Sequence, residues 1–170
     1  VVTFALAVGD PLFVVDLRDP AHPMVAGELK IPGYSTYLHD AGDGRLIGVG
    51  WDDGLQVSLF DVSDPAHPKR TSQVVVPDAW GGQQFDPHSF LFWEPTGLVV
   101  VPVGGGSSAQ RALVTRLHGG TLTEQGTVAN QAGAVQRSLI VDGQLWTVSE
   151  QGIRVSEELT LLQKAWIAFS

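Results

Sequence analysis

Four consecutive residues, Asp86-Pro87-His88-Ser89, place a carboxylate, an imidazole and a hydroxyl within a short stretch of chain. Such a set can bind a metal ion or polarise a water molecule. A structural alternative stays open, in which Asp86 orients His88 or His88 bonds to a neighbouring element. The sequence favours this alternative and predicts only a weak ligand-binding site at Asp86 and His88.

Aromatic residues supply the other candidates for ligand binding. Tyr37 and His39 follow Tyr34 and could stack on a sugar or a peptide, or pack between neighbouring elements. Trp51 lies between two apolar runs, and Trp80 lies in a longer loop rich in small residues. Exposed loop tryptophans are binding candidates, although either one could instead fold back as a cap over the core. Tyr37, His39, Trp51 and Trp80 are therefore weak candidates.

Other catalytic and metal-binding patterns do not occur in the sequence. The five histidines lack the close spacing of a metal-binding pair, and the chain has no cysteine, which excludes thiolate zinc sites, iron–sulfur clusters and disulfides. The glycine-rich stretch 104–108 lacks the lysine of a phosphate-binding loop, and no Gly-X-Ser-X-Gly motif occurs. We predict no catalytic residue, no metal ligand and no cofactor.

Charge and hydropathy exclude two further classes of function. Ten Lys and Arg residues against eighteen Asp and Glu residues give a net charge of −8. A chain this acidic repels phosphate backbones, so we expect no nucleic-acid partner. No apolar run approaches the ~18 residues of a membrane span. Val1–Val8 has the apolar character of a signal peptide core but no basic segment before it, so a buried strand fits it better.

The elements that position these residues are predicted to be strands. Short runs rich in Val, Leu, Ile and Phe, such as Leu12–Leu17, Leu55–Phe60 and Leu98–Val103, alternate with Gly, Pro and Asp turns. Asp-Gly between two such runs, as at Asp43-Gly44 and Asp142-Gly143, is a strong hairpin signal. The pattern predicts an all-β chain of antiparallel hairpins.

An internal repeat narrows the fold. Val15–Pro23, VDLRDPAHP, recurs 45 residues later within Phe60–Pro68, FDVSDPAHP. In each copy the aspartate can accept backbone N–H bonds and the following proline fixes φ, which is typical of a turn. A period of about 40–45 residues with four strands per period is the signature of a β-propeller blade.

The predicted fold is therefore a single β-propeller part of about three and a half four-stranded antiparallel blades. We place the blades at residues 1–31 (without an innermost strand), 32–77, 86–128 and 133–170. Propellers typically close with about four to eight blades, and an open arc exposes sheet edges. We therefore expect a fragment of a longer propeller, or an arc whose ring is completed by upstream blades or by a second copy.

The segments LFVVDLRDPAHPMVAGELKIPGYSTYLH, LQVSLFDVSDPAHPKR and FDPHSFLFWEPTGLVVVPV resemble the secreted β-propeller domain family of bacteria and archaea, which is related to LVIVD-type propeller repeats. Residues 1–4 are similar to a strand of that family, and 163–169 to its C-terminal strand. The resemblance implies the C-terminal part of a longer, extracytoplasmic propeller with a signal peptide and further blades upstream. It implies no established catalytic activity and supplies no catalytic residue.

These observations predict a non-catalytic scaffold that binds a ligand or a protein, in an extracytoplasmic setting. Asp86 and His88, like Tyr37 and His39, fall where an innermost strand would meet the central channel. The alternative is a hydrolase or metal-dependent enzyme that combines Asp86 and His88 with residues of missing blades. The two readings differ in whether Asp86 and His88 converge on an open pocket or point into a contact between blades.

Overall fold

The computed structural model describes residues 2–4, 11–77, 79, 85–104 and 111–170. Within them it confirms the predicted all-β class, with fifteen strands. The strands are β1 (Val2–Phe4), β2 (Leu12–Asp16), β3 (Met24–Leu29), β4 (Tyr34–Asp40), β5 (Arg45–Trp51), β6 (Gly54–Asp61), β7 (Lys69–Pro77), β8 (Leu91–Trp93), β9 (Leu98–Val103), β10 (Arg111–His118), β11 (Thr121–Ala129), β12 (Arg137–Val141), β13 (Gln144–Ser149), β14 (Gly152–Glu157) and β15 (Gln163–Ala168). Among these residues, no helix has the length and apolar character needed to cross a membrane.

The strands form antiparallel sheets in which sequence neighbours pair. The first sheet is β1-β2-β3, the second β4-β5-β6-β7, the third β8-β9-β10-β11 and the fourth β12-β13-β14-β15. We call the last strand of each sheet in sequence order its outer strand; the outer strands are β3, β7, β11 and β15. The loop that connects the preceding strand to the outer strand is called the linking turn. In the described part of the chain, one sheet of three strands and three of four strands confirm the predicted set of about three and a half four-stranded units.

Two Asp-Gly turns connect strands as the sequence predicts. Asp43 and Gly44, between β4 and β5, have φ values of 52° and 68°. Asp142 and Gly143, between β12 and β13, have 49° and 69°. Positive φ at both central residues is what a tight hairpin turn requires, and Asp and Gly adopt it at low cost.

An irregularity in strand pairing recurs at the same place in three sheets. The shifts lie in the pairing of β2 with β3, of β6 with β7 and of β14 with β15. In each pair the register shifts by one residue immediately after Val14, Leu59 or Val155, respectively. These bulges identify equivalent positions on the outer strands. The residues paired with Val14, Leu59 and Val155 are Gly27, Ser72 and Ala165.

The chain divides into two compact units, Val1–Asp78 with Gly120–Leu122, and Ala79–Gly119 with Thr123–Ser170. Each unit has its own apolar cluster. In the first, Leu12, Val14 and Phe60 are buried together. In the second, the buried cluster is Leu98, Val100, Ala112, Val114, Val128, Val135 and Leu145. Each large buried apolar side chain contributes about 1.5–3 kcal/mol, so sheet packing holds each unit together.

Candidate functional site

The two Asp-Pro-Ala-His-Pro segments are linking turns with the same internal hydrogen bonds. In the first, Oδ1 of Asp19 accepts the N–H of Ala21 at 3.0 Å, and Oδ2 lies 2.8 Å from Nδ1 of His22. The second copy, Asp64–His67, repeats both distances. The hydrogen bond from His22 holds the pKa of Asp19 below its usual value. The turn is therefore held by its own residues.

The second copy lies on the outer strand of the first sheet. A Cβ atom added to Gly27 would overlap the carbonyl oxygen of Pro65 and come within 2.9 Å of Cδ of Pro68. Pro68 is buried, although the rest of the turn is exposed. Gly27 is thus needed for its lack of a side chain, because the turn occupies that space.

The second unit contains a comparable contact between different residues. The linking turn of the fourth sheet, 158–162, lies on the outer strand of the third sheet. The side-chain amide of Gln125 donates to the carbonyl oxygens of Glu158, at 2.8 Å, and Leu159, at 2.6 Å. Beside it, a Cβ added to Gly126 would come within 3.3 Å of Cδ1 of Leu161. In both units, therefore, a linking turn lies on the outer strand of the preceding sheet.

The contact between the 158–162 turn and β11 includes the buried, charged carboxylate of Glu158. Glu158 is 6% exposed and accepts a hydrogen bond from the hydroxyl of Thr96. The guanidinium of Arg116 lies 3.5 Å from the same carboxylate and donates to Oε1 of Gln125 at 3.0 Å. Sequence reasoning did not single out these residues, because they come from four separated segments with no common motif. A buried carboxylate without a partner would destabilise the fold by roughly several kcal/mol, so the hydrogen bonds from Thr96 and Arg116 are needed here.

Asp86 and His88 lie at a contact between sheets of the second unit. Oδ1 of Asp86 accepts the backbone N–H of His88 at 2.9 Å and lies 3.0 Å from its Nδ1. Oδ2 of Asp86 is 2.8 Å from the guanidinium of Arg137, which begins β12. The N–H and the imidazole of His88, followed by Arg137, hold the pKa of Asp86 below its usual value. The carboxylate thus joins the segment before β8 to the neighbouring sheet.

The rest of this cluster is more exposed. The His88 side chain is 83% exposed, and the hydroxyl of Ser89 donates to the backbone carbonyl of Asp86 at 2.7 Å. Among the residues that the structure describes, no three His, Asp or Glu side chains gather in a way that could hold a metal ion. The arrangement of Asp86 and His88 is that of an oriented imidazole beside an ion pair.

A stripe of ring-bearing side chains lies on one face of β4. The hydroxyl of Tyr37 is 3.0 Å from Nδ1 of His39, and their ring centroids are 6.1 Å apart. The register shift between Ser35 and Tyr37 pairs Tyr34, Tyr37 and His39 with alternate residues of β5. Alternate residues share a face, so these three rings do too. The bulge therefore aligns side chains that sequence spacing alone would separate.

Burial changes the acid–base properties of this stripe. It lowers the pKa of His39, with nearby Asp40 acting in the opposite direction, and it raises the pKa of Tyr37. His39 therefore favours the neutral form more than an exposed histidine does. A neutral imidazole beside a phenol presents hydrogen-bonding groups and ring surface without a net charge.

Trp51 belongs to the same surface. It is the last residue of β5 and pairs with Tyr34 at the end of the stripe. It is partly buried rather than exposed in a loop, and a Cβ added to Gly33 would come within 2.6 Å of its carbonyl oxygen. Tyr34, Tyr37, His39 and Trp51 together are called the aromatic face below. The other tryptophan candidate, Trp80, lies outside the described residues.

Antiparallel sheets of three or four strands, joined in sequence order and carrying a turn that repeats after 45 residues, define a β-propeller protein. Comparison with known families agrees, since the model for the beta propeller domain matches residues 1–161. The chain belongs to the β-propeller domain family.

Two archaeal relatives are similar to this chain. An uncharacterized protein of Archaeoglobus fulgidus is 31% identical over 150 residues, which cover 88% of this chain and 23% of that protein. The uncharacterized protein MJ1554 of Methanocaldococcus jannaschii is 45% identical over 95 residues, which cover 55% of this chain and 15% of that protein. The matched region thus spans less than a quarter of the length of either relative.

Proposed function

We propose that this chain is a non-catalytic β-propeller scaffold whose aromatic face binds a sugar or a peptide. The observation that carries the proposal is the bulge in β4, which brings Tyr34, Tyr37 and His39 to one face with Trp51 at its end. Aromatic rings with polar edges bind ligands that have both apolar faces and hydroxyl or amide groups. Burial lowers the pKa of His39 and so favours its neutral form, which suits such neutral ligands.

The proposal extends to the setting of the chain. It is the C-terminal part of a longer propeller of the LVIVD-related kind, it acts outside the cytoplasm, and upstream blades complete its ring. The short matched share of both relatives supports the longer propeller, since each has more than three times as much chain outside the match. Fractionation of the native cells, followed by mass spectrometry of this polypeptide, tests both its location and its length.

Titration of the protein's intrinsic tryptophan fluorescence tests the binding surface. Maltotriose, cellotriose, chitotriose and a tyrosine-containing tripeptide serve as probes. At least one is expected to give a saturable change, with affinity about two- to tenfold weaker in Tyr37→Ala, because a lost ring contact is worth about 0.5–1.5 kcal/mol. His118→Ala, which changes a histidine on β10, is the control and is expected to bind as the unaltered protein does. No saturable response to any probe, or equal binding by Tyr37→Ala, contradicts the proposal.

A hydrolase or metal-dependent enzyme is the second candidate, supported by the pairing of Asp86 with Nδ1 of His88. A carboxylate that holds Nδ1 leaves Nε2 available as a general base. The test is hydrolysis of p-nitrophenyl acetate and p-nitrophenyl phosphate, with and without added Zn²⁺. A rate above background that is lost in His88→Ala but kept in His118→Ala supports the enzyme. If His88→Ala hydrolyses the esters at the same rate as His118→Ala and the unaltered protein, this candidate function is excluded.

A further inference from the structure

The two Asp-Pro-Ala-His-Pro turns have the same internal geometry but different surroundings. Pro68 of the second turn is buried against Gly27, whereas Pro23 of the first turn is exposed. The same contrast holds two residues before each turn: Leu17 is 43% exposed, whereas its equivalent, Val62, packs against the first unit's apolar cluster. The first turn therefore has the same shape as the docked second turn, but its residues Leu17 and Pro23 are exposed in the part of the chain that the structure describes.

Apolar surface beside the first turn is also uncovered. Met24 and Val25, which begin β3, are 64% and 62% exposed. Met24 and Val25 are successive residues of β3, so their side chains point to opposite faces of the sheet. Val25 and the exposed residues Leu17 and Pro23 at the turn are together called the free turn surface, because exposed apolar side chains close together mark an interaction site more often than scattered ones do.

The partner of such a turn must have a particular chemistry. At Gly27 even one added carbon would overlap the carbonyl oxygen of Pro65, so this turn sequence requires glycine on the outer strand. The equivalent residues on the other two outer strands that share the bulge are Ser72 and Ala165, and each has a Cβ. Neither strand offers the space that the Asp-Pro-Ala-His-Pro turn occupies at Gly27.

We propose that the free turn surface docks on the outer strand of a further four-stranded sheet, at a glycine, and that this sheet precedes the chain in the same polypeptide. The inference rests on the proposed longer propeller and adds the contact that joins its parts. Gly27 lies 38 residues before Pro65. The matching glycine is therefore expected 38 residues before Pro20, within a strand.

Cysteine labelling tests the contact directly, because the chain has no cysteine of its own. Pro23→Cys is prepared in the 170-residue chain and in the native polypeptide that includes the residues upstream of it. Maleimide labelling is expected to be fast in the short chain and at least tenfold slower in the long one. Pro68→Cys is the matched control, expected to label slowly in both because Pro68 is buried within the first unit.

A second variant shows whether the glycine is the contact. Replacing the upstream glycine with valine in the long polypeptide is expected to restore fast labelling of Pro23→Cys, while circular dichroism shows an unchanged sheet signal. Equal labelling of Pro23→Cys in short and long chains overturns the inference, as does an upstream sequence without the glycine-bearing strand. Labelling does not depend on a ligand, so its failure is distinct from failure of the aromatic face to bind sugars or peptides.

Discussion

Gly27→Ala is the simplest change that separates a docked turn from a turn that only lies near the sheet. The added Cβ would overlap the carbonyl oxygen of Pro65 and press on the ring of Pro68. Forcing extra atoms into a packed contact costs about 1–3 kcal/mol, and an overlap with backbone belongs at the upper end. Alanine in a strand regains about 0.5–1 kcal/mol relative to glycine. The net destabilisation is therefore about 2 kcal/mol.

Urea denaturation followed by tryptophan fluorescence measures this loss, which is expected as a lower midpoint with an unchanged slope. The matched control is Ala165→Gly, at the equivalent position on β15, where Ala165 is exposed. Only backbone propensity changes there, so its expected loss is about 0.5–1 kcal/mol. If Gly27→Ala is as stable as the unaltered protein, the turn does not need this space, and the glycine requirement at the free turn surface loses its basis.

Three further changes test the second unit and the aromatic face. Gln125→Ala removes two hydrogen bonds to the carbonyl oxygens of Glu158 and Leu159 and is expected to cost about 1–3 kcal/mol in urea denaturation. Arg116→Met leaves the buried carboxylate of Glu158 without its cation and is expected to lower the free energy of unfolding by about 3 kcal/mol in the same assay. An unchanged free energy of unfolding would mean that the hydrogen bond from Thr96 is sufficient for Glu158. Burial lowers the pKa of His39, so the folded state binds this proton less readily than the unfolded state, and stability is expected to fall as pH decreases below about 6.5. His39→Gln is expected to flatten the plot of Tm against pH in that range, and an unchanged slope contradicts the assignment.

The fold class could be predicted from the sequence because its signals are local. Alternating apolar runs and Asp-Gly turns each specify a hairpin within about ten residues, and the repeat of Asp16 as Asp61 gives the spacing of the sheets. The proximity of Tyr37 and His39 could also be predicted, because residues two apart on a strand lie on the same face.

The contacts between sheets could not be predicted in this way. Gly27 looks like any glycine in a strand, and the turn that requires it lies 38 residues away. Glu158 and Arg116 are 42 residues apart and belong to no motif. The bulge that aligns Tyr34 with Tyr37 arises from pairing between β4 and β5, which residue types alone do not specify. The sequence therefore indicated individual candidate residues, but strand pairing in the folded structure was needed to show which of them lie together.

The Asp-Pro-Ala-His-Pro turn has a consequence for how such proteins can lengthen. Asp19 and His22 give the exposed first turn the same hydrogen bonds that Asp64 and His67 give the docked second turn. The turn therefore has its shape before it contacts another sheet, and less conformational entropy is lost on contact. A duplicated stretch of 45 residues would bring its own finished turn and would need only one glycine on the strand before it. We therefore expect that an added copy of this turn is accommodated only where the strand before it carries glycine at the position of Gly27.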